Sequence, residues 1–368
     1  MEKTNTFRLI ISGGGTGGHI FPAIAIAGAV KQKMPDANIL FVGAKGRMEM
    51  EKVPAAGYEI KGLDIVGLQR KQWWRNFAFP FKLIASLWET RKILKHFRPD
   101  VVVGVGGYAS GPTLFMAHWM KIPTLLQEQN SYPGLTNRLL ARGATKICVD
   151  YDNMASFFAA QKIVWTGNPI RQDIVNVSGK YEEAIRFFEF DKDKKVILVM
   201  GGSLGARTIN QSMAKNIDAL LNEGYQVIWQ TGKSYYSQAL ALTQGKANIR
   251  VFDFIARMDL AYAITTIIVS RAGAIAISEL CVIGKPSILI PSPNVAEDHQ
   301  TKNAMALSAK NAAILLPDHL AEEQLGDLLL QLMKDENRQR LLSENIIRMA
   351  KINAAEDIAE EVIKLKIK

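Results

Sequence analysis

Cysteine is nearly absent: Cys148 and Cys281 are the two in 368 residues. They stand far apart, each inside an apolar stretch. Neither the paired spacing of a zinc site nor the density of a secreted disulfide scaffold is present, so both are expected as buried thiols. No apolar run is long enough to span a bilayer, and residues 1–12 carry no signal-peptide pattern; a cytoplasmic chain is expected. Low-complexity segments are also missing. Acidic residues are scarce in one half only. Residues 1–172 hold 11 Asp and Glu against 22 Lys and Arg, whereas residues 173–368 hold 24 against 23. The net charge of +10 therefore resides in the first half. That asymmetry fits an anionic partner, whether nucleic acid or a membrane surface, or a solvated basic face without one.

What the chain does have is an apolar content of 48%, and a length that exceeds one ordinary core and predicts two domains. Residues 8–12 run into Gly13-Gly14-Gly15-Thr16-Gly17-Gly18-His19 and a helical stretch. Residues 196–200 run into Gly201-Gly202-Ser203-Leu204-Gly205 and another. Further apolar runs at 101–103, 124–127, 227–229, 267–269 and 287–290 alternate with helical segments, the pattern of parallel sheets covered on both faces. Two doubly wound α/β domains are expected, 1–169 and 170–343, with the boundary near Gly167-Asn168-Pro169. Residues 344–368 alternate apolar and charged residues at helical spacing and are expected to form a C-terminal helix packing back toward the first domain.

Glycines between a strand and a helix let backbone N–H groups approach an oxyanion, and the helix start favours negative charge. Diphosphates suit such loops. Gly13, Gly15 and Gly18 also spell the dinucleotide fingerprint, but the next strand ends Val42-Gly43-Ala44-Lys45 without the acid that would hold a ribose. A nicotinamide cofactor is not expected. Other glycine-bearing loops follow strands at Gly104-Val105-Gly106-Gly107-Tyr108, at Gly134 and at Arg271-Ala272-Gly273-Ala274. The last opens a helix carrying Glu279, a carboxylate placed to accept from a ribose diol.

At these loops the sequence resembles a known family. Gly14 to His19, Gly106-Gly107-Tyr108, Glu128-Gln129-Asn130 with Pro133 to Asn137, Gly167 to Arg171, Gly201-Gly202-Ser203, Ser270 to Glu279, and Asp298-His299-Gln300 through Asn303 are similar in order and spacing to the MurG family. These are the UDP-N-acetylglucosamine:undecaprenyl-diphospho-muramyl-pentapeptide N-acetylglucosaminyltransferases. The resemblance covers residues 8 to 310 and implies a GT-B fold: two doubly wound Rossmann-like domains whose parallel sheets face a central cleft. It implies inverting transfer of N-acetylglucosamine from UDP-N-acetylglucosamine to the muramyl 4-hydroxyl of the lipid-linked muramyl-pentapeptide, with no cofactor and no metal. A GT-B enzyme acting on another lipid, such as diacylglycerol, is the alternative.

The resemblance also implies roles. Ser203 and the start of the helix at Ala274, Ile275, Ala276, Ile277 and Ser278 would hold the diphosphate, Glu279 the ribose and Ile255 the uracil edge, with Arg171 nearby. Gln300 and Asn303 would read the sugar hydroxyls. Thr16, Gly17, Gly18 and Asn130 would close over the donor; Gly14, Gly15, Tyr108 and Asn137 would line the acceptor side. His19 is the first candidate for general base, because histidine titrates near neutral pH, or else it positions the acceptor diphosphate; Glu128 is the reserve. Leu204 and Ala276 depart from the commoner glutamine and threonine, which weakens side-chain contacts but leaves backbone donors.

Trp73, Trp74 and Phe77 interleave with Arg70, Lys71 and Arg75, a composition suited to an anionic lipid interface, where each cation contributes about 1 kcal/mol. Leu83, Ile84, Leu87 and Leu94 at helical spacing are expected in the core. No nucleic-acid-binding module is recognisable. The expected location is peripheral, on the cytoplasmic face of the cell (inner) membrane.

Overall fold

The apolar runs become parallel strands because crossover helices cover both faces of the sheets they form. A computed structural model of the chain describes residues 6–65, 79–202, 205–295 and 298–366. The chain divides into one unit of Met1–Ile170 with Asn353–Lys368, and a second of Arg171–Ile352.

The first unit's strands are β1 (Arg8–Ser12), β2 (Asn38–Ala44), β3 (Glu59–Leu63), β4 (Val101–Gly104), β5 (Thr124–Glu128), β6 (Lys146–Val149) and β7 (Ile163–Trp165). Between them run α1 (Gly17–Lys33), α2 (Glu49–Ala55), α3 (Phe79–Phe97), α4 (Ser110–Trp119) and α5 (Leu135–Leu140). The all-parallel sheet is ordered β3-β2-β1-β4-β5-β6-β7.

The second unit contains α6 (Gln172–Val175), α7 (Tyr181–Phe188), β8 (Val196–Met200), α8 (Arg207–Asn222), β9 (Gln226–Gln230), α9 (Lys233–Thr243), β10 (Ile249–Phe252) and α10 (Met258–Ile264). It continues with β11 (Thr265–Ser270), α11 (Ala274–Ile283), β12 (Ser287–Leu289), α12 (His299–Ser308), β13 (Ile314–Leu315), α13 (Ala321–Lys334) and α14 (Glu336–Ile347). Its sheet order is β10-β9-β8-β11-β12-β13. Alternation along the strands feeds two cores. Val196, Leu198 and Met200 join one with Tyr262, Ile277 and Leu280, while Ile197 and Val199 join the other with Met213, Trp229 and Leu329.

Residues 344–368 hold the end of α14 and all of a separate α15 (Ala354–Lys364), not one helix. Ile346 on α14 belongs to a core of the second unit. On α15, Ala355, Ile358, Ala359 and Val362 recur at helical spacing and enter the core that Ile20, Ala23, Ile26 and Val30 of α1 share with β1 and β4.

Both sheets reverse direction of growth at one place, between β1 and β4 and between β8 and β11. Ligands of doubly wound folds bind at this switch, beyond the carboxyl ends of the strands. The glycine loops at Gly13, Val105, Gly201 and Arg271 all leave from those ends.

Candidate functional site

In the first unit the two loops at the switch point are stitched together. The Gly14 N–H donates to the Gly106 carbonyl at 3.3 Å, the Gly13 N–H to Val42 at 3.3 Å, and the Val105 N–H to Ser12 at 2.9 Å. Gly106 and Gly107 adopt φ of 92° and 87°, which glycine tolerates without the Cβ penalty. A Cβ on Gly107 would lie 2.2 Å from the Gly14 carbonyl oxygen, and one on Gly106 2.8 Å from His19 Cδ2 and Nε2. The imidazole of His19 therefore rests against the β4 loop.

Glu49, 1% exposed, lies beneath the first loop. Its carboxylate accepts from the Gly15 N–H at 2.9 Å and from the Ala44 N–H at 3.0 Å. The N–H groups of Gly14 and Gly15 are thus committed inside the protein, contrary to the expectation that this loop presents them to an oxyanion. The donors shift to the start of α1, where Gly17 and Gly18 occupy the first helical positions, which lack intrahelical acceptors. Thr16 is the extended N-cap residue without a side-chain cap, its Oγ1 3.2 Å from His19 Nδ1.

Glu128 ends β5, 1% exposed. Its Oε1 accepts from the N–H and the Nδ2 of Asn130, its Oε2 from the Gly134 N–H at 3.1 Å and from Asn137 Nδ2 at 2.9 Å. Burial pushes this carboxyl above its ordinary value, against four hydrogen bonds that favour the anion. A carboxylate so enclosed shapes a loop and has no direction left for a substrate proton. Tyr108, 47% exposed, stands in the turn before α4. Asn168 of the boundary motif joins a buried network, donating to the Gln129 carbonyl and to Asp150 and accepting from Gln127.

In the second unit, Gly273 precedes the ten-residue α11 as an extended N-cap residue, and no side chain caps the helix. Ala274, Ile275 and Ala276 bring first-turn N–H groups to the switch point, the arrangement that favours a phosphate. Ile277 does not join them, because its side chain is in the core and its N–H donates to Gly273. Ser278 turns its hydroxyl back to the Ala274 carbonyl. One turn further, Glu279 Oε2 accepts from the buried phenol of Tyr262 at 3.1 Å, and Oε1 lies 3.6 Å from Arg171 Nε. The Ile255 N–H donates to Gln230 Oε1 at 3.0 Å. Gln300 Oε1 accepts from the Ser292 N–H at 2.8 Å, and the fully buried Asn303 donates to the Ala272 carbonyl. Arg171, Ile255, Ala274 to Ala276, Glu279, Gln300 and Asn303 all belong to this unit.

Residues 9–149 match the glycosyltransferase family 28 N-terminal domain and residues 196–362 the family's C-terminal domain. The chain belongs to glycosyltransferase family 28. It is 54% identical over 98% of its length, and 98% of the relative's, to a UDP-N-acetylglucosamine--N-acetylmuramyl-(pentapeptide) pyrophosphoryl-undecaprenol N-acetylglucosamine transferase of Flavobacterium psychrophilum. A protein of the same name from Phocaeicola vulgatus is 55% identical, with 97% and 96% covered. Among solved structures, MurG of Acinetobacter baumannii superposes with a TM-score of 0.78 at 27% identity, covering 97% of this chain and 99% of that one. A UDP-GlcNAc 2-epimerase of Neisseria meningitidis, at 15% identity and a TM-score of 0.69 with 98% and 100% covered, shares the fold. The fold is GT-B.

Within this family 28 chain, Ser203, Arg70, Lys71, Trp73, Trp74, Arg75 and Phe77 lie outside the described residues. The neighbouring surface of the first unit corrects one expectation. Ile84 is 55% exposed, not core, while Leu94 is buried and Leu83 and Leu87 half-buried. Phe81, Trp88, Phe115 and Trp119 are exposed as well. The Arg91 guanidinium, 5.8 Å from the Trp88 ring and 5.6 Å from that of Trp119, links α3 to α4. Among the described residues no helix is long and apolar enough to cross a membrane. Sequence reasoning missed Glu49, Tyr262 and the exposed Trp88, Phe115 and Trp119. The pattern around Glu49 held no cue beyond its place after β2, and Tyr262 reads as one more apolar residue of α10. Both cysteines are buried thiols, and burial raises Cys148 to about 12.

Proposed function

We propose that this chain transfers N-acetylglucosamine from UDP-N-acetylglucosamine to the muramyl 4-hydroxyl of undecaprenyl-diphospho-muramyl-pentapeptide, as a peripheral enzyme on the cytoplasmic face of the membrane. The observation that carries the reading is identity above half, almost end to end, with transferases of that name, in a chain whose two sheets each place polar loops at their switch point. Relatives named for a diacylglycerol acceptor would have favoured the alternative; the names point to the muramyl lipid.

In this reading the uncapped start of α11 and Ser203 hold the donor diphosphate, and the helix start stabilises the leaving UDP, so that developing charge meets N–H dipoles. Glu279 accepts from the ribose diol, Ile255 lies at the uracil edge and Gln300 meets the sugar, while Asn303, expected at the sugar, is fully buried and holds the loop before α11 through the Ala272 carbonyl. The muramyl 4-hydroxyl attacks the anomeric carbon as the bond to UDP breaks, inverting the configuration in one displacement. His19 takes the hydroxyl proton. Thr16 Oγ1, 3.2 Å from its Nδ1, supports an oriented ring. Glu128 acts as the clamp that sets Asn130 and Asn137 in place. Tyr108 and the Gly17-Gly18 start of α1 receive the acceptor. The apolar faces of α3 and α4, with Trp88, Trp119 and the cations Lys82, Arg91, Lys92 and Lys95, support docking on an anionic lipid surface.

Purified protein should release UDP from UDP-N-acetylglucosamine when given a lipid-linked muramyl-pentapeptide and not when given diacylglycerol or DNA. Release with diacylglycerol alone would replace this acceptor with the rival one.

A further inference from the structure

We infer that Tyr262 is a positioning residue of the donor site, its hydroxyl fixing the Glu279 carboxylate in the orientation that meets a ribose diol. The inference rests on the proposed role of Glu279. Tyr262 is 0% exposed on α10, so its ring cannot swing. Its phenol donates to Glu279 Oε2 at 3.1 Å and lies 3.8 Å from the sulfur of Met200, the last residue of β8. One rigid group therefore ties the end of the central strand to the helix that starts at the switch point.

A glutamate has three rotatable bonds, and its carboxylate offers about four lone-pair directions. The Tyr262 hydroxyl occupies one, on Oε2. The Arg171 Nε, 3.6 Å away, stands off Oε1. A carboxylate held at Oε2 by a group that cannot move keeps one plane, and a pair of vicinal hydroxyls needs a carboxylate of fixed plane to donate to both oxygens. Arg171 could not hold this geometry alone, because its side chain is 34% exposed. Burial and the adjacent carboxylate keep the phenol far above its ordinary value of 10, so it stays a donor throughout the working pH range. Its part is orientation and not proton transfer.

Tyr262→Phe keeps the ring and its packing and removes only the hydroxyl. Dissociation constants for UDP and 2′-deoxy-UDP, measured by calorimetry on the wild type, Tyr262→Phe, Glu279→Gln and the double variant, give the test. The wild type should prefer UDP. Tyr262→Phe should lose roughly three- to tenfold in UDP affinity, the range of one hydrogen bond, and much of the preference over the deoxy ligand. The double variant should be no worse than Glu279→Gln, since one residue acts through the other. Full preference in Glu279→Gln would overturn the ribose reading, and this inference with it. Lost preference in Glu279→Gln beside wild-type behaviour in Tyr262→Phe, or losses that add in the double variant, would overturn the inference and leave the ribose reading standing.

Discussion

At the scale of single residues, the roles proposed for His19 and Glu279 separate catalysis from binding. Glu279→Ala removes a charged acceptor and should raise the KM for UDP-N-acetylglucosamine by about ten- to hundredfold, the worth of a charge-assisted hydrogen bond. Steady-state kinetics on a folded variant check it, and an unchanged KM would take Glu279 out of the donor site. His19→Ala should instead lower kcat by roughly 10²- to 10⁴-fold with donor affinity kept, as expected of a general base. A base works deprotonated, so the pH dependence of turnover should differ between the wild type and a variant with residual activity. Donor binding and turnover that fall together would make His19 a positioning group.

At the scale of elements, the sites depend on loops held from below. Glu49 pins the β1 loop to the end of β2 through two N–H groups. Glu49→Ala, which leaves the buried Ala44 N–H and the half-buried Gly15 N–H without their acceptor, should cost about 1 to 3 kcal/mol for the buried donor, read as a lower urea midpoint with an unchanged slope. Little change would mean that water replaces the carboxylate. The strands and their glycine loops were legible because strands buried on both faces read as continuous Val, Ile and Leu runs, and because glycine marks the turn that follows. Glu49 was not, since a carboxylate that serves backbone across a loop leaves no periodic trace. Ile84 was misjudged for a related reason: helical spacing shows which residues share a face, not whether another element covers it. The break between α14 and α15 escaped notice because apolar residues resume at the same spacing after it.

At the scale of the molecule, the first half carries the charge excess, and the first unit exposes the aromatic faces of α3 and α4. The protein should bind anionic vesicles more tightly than neutral ones, less so as salt screens the surface potential. Replacing Trp88 and Trp119 with Ser should weaken that binding and slow turnover of a long-chain lipid acceptor while sparing a water-soluble analogue; equal vesicle binding would move the docking surface elsewhere. The family was legible in residue order alone. The most direct test of the whole account is the structure of the product. After reaction with UDP-N-acetylglucosamine and the muramyl lipid, the released disaccharide should show by NMR a β-linkage from N-acetylglucosamine to the muramyl 4-oxygen. An α-linkage, another oxygen, or no disaccharide at all would contradict it.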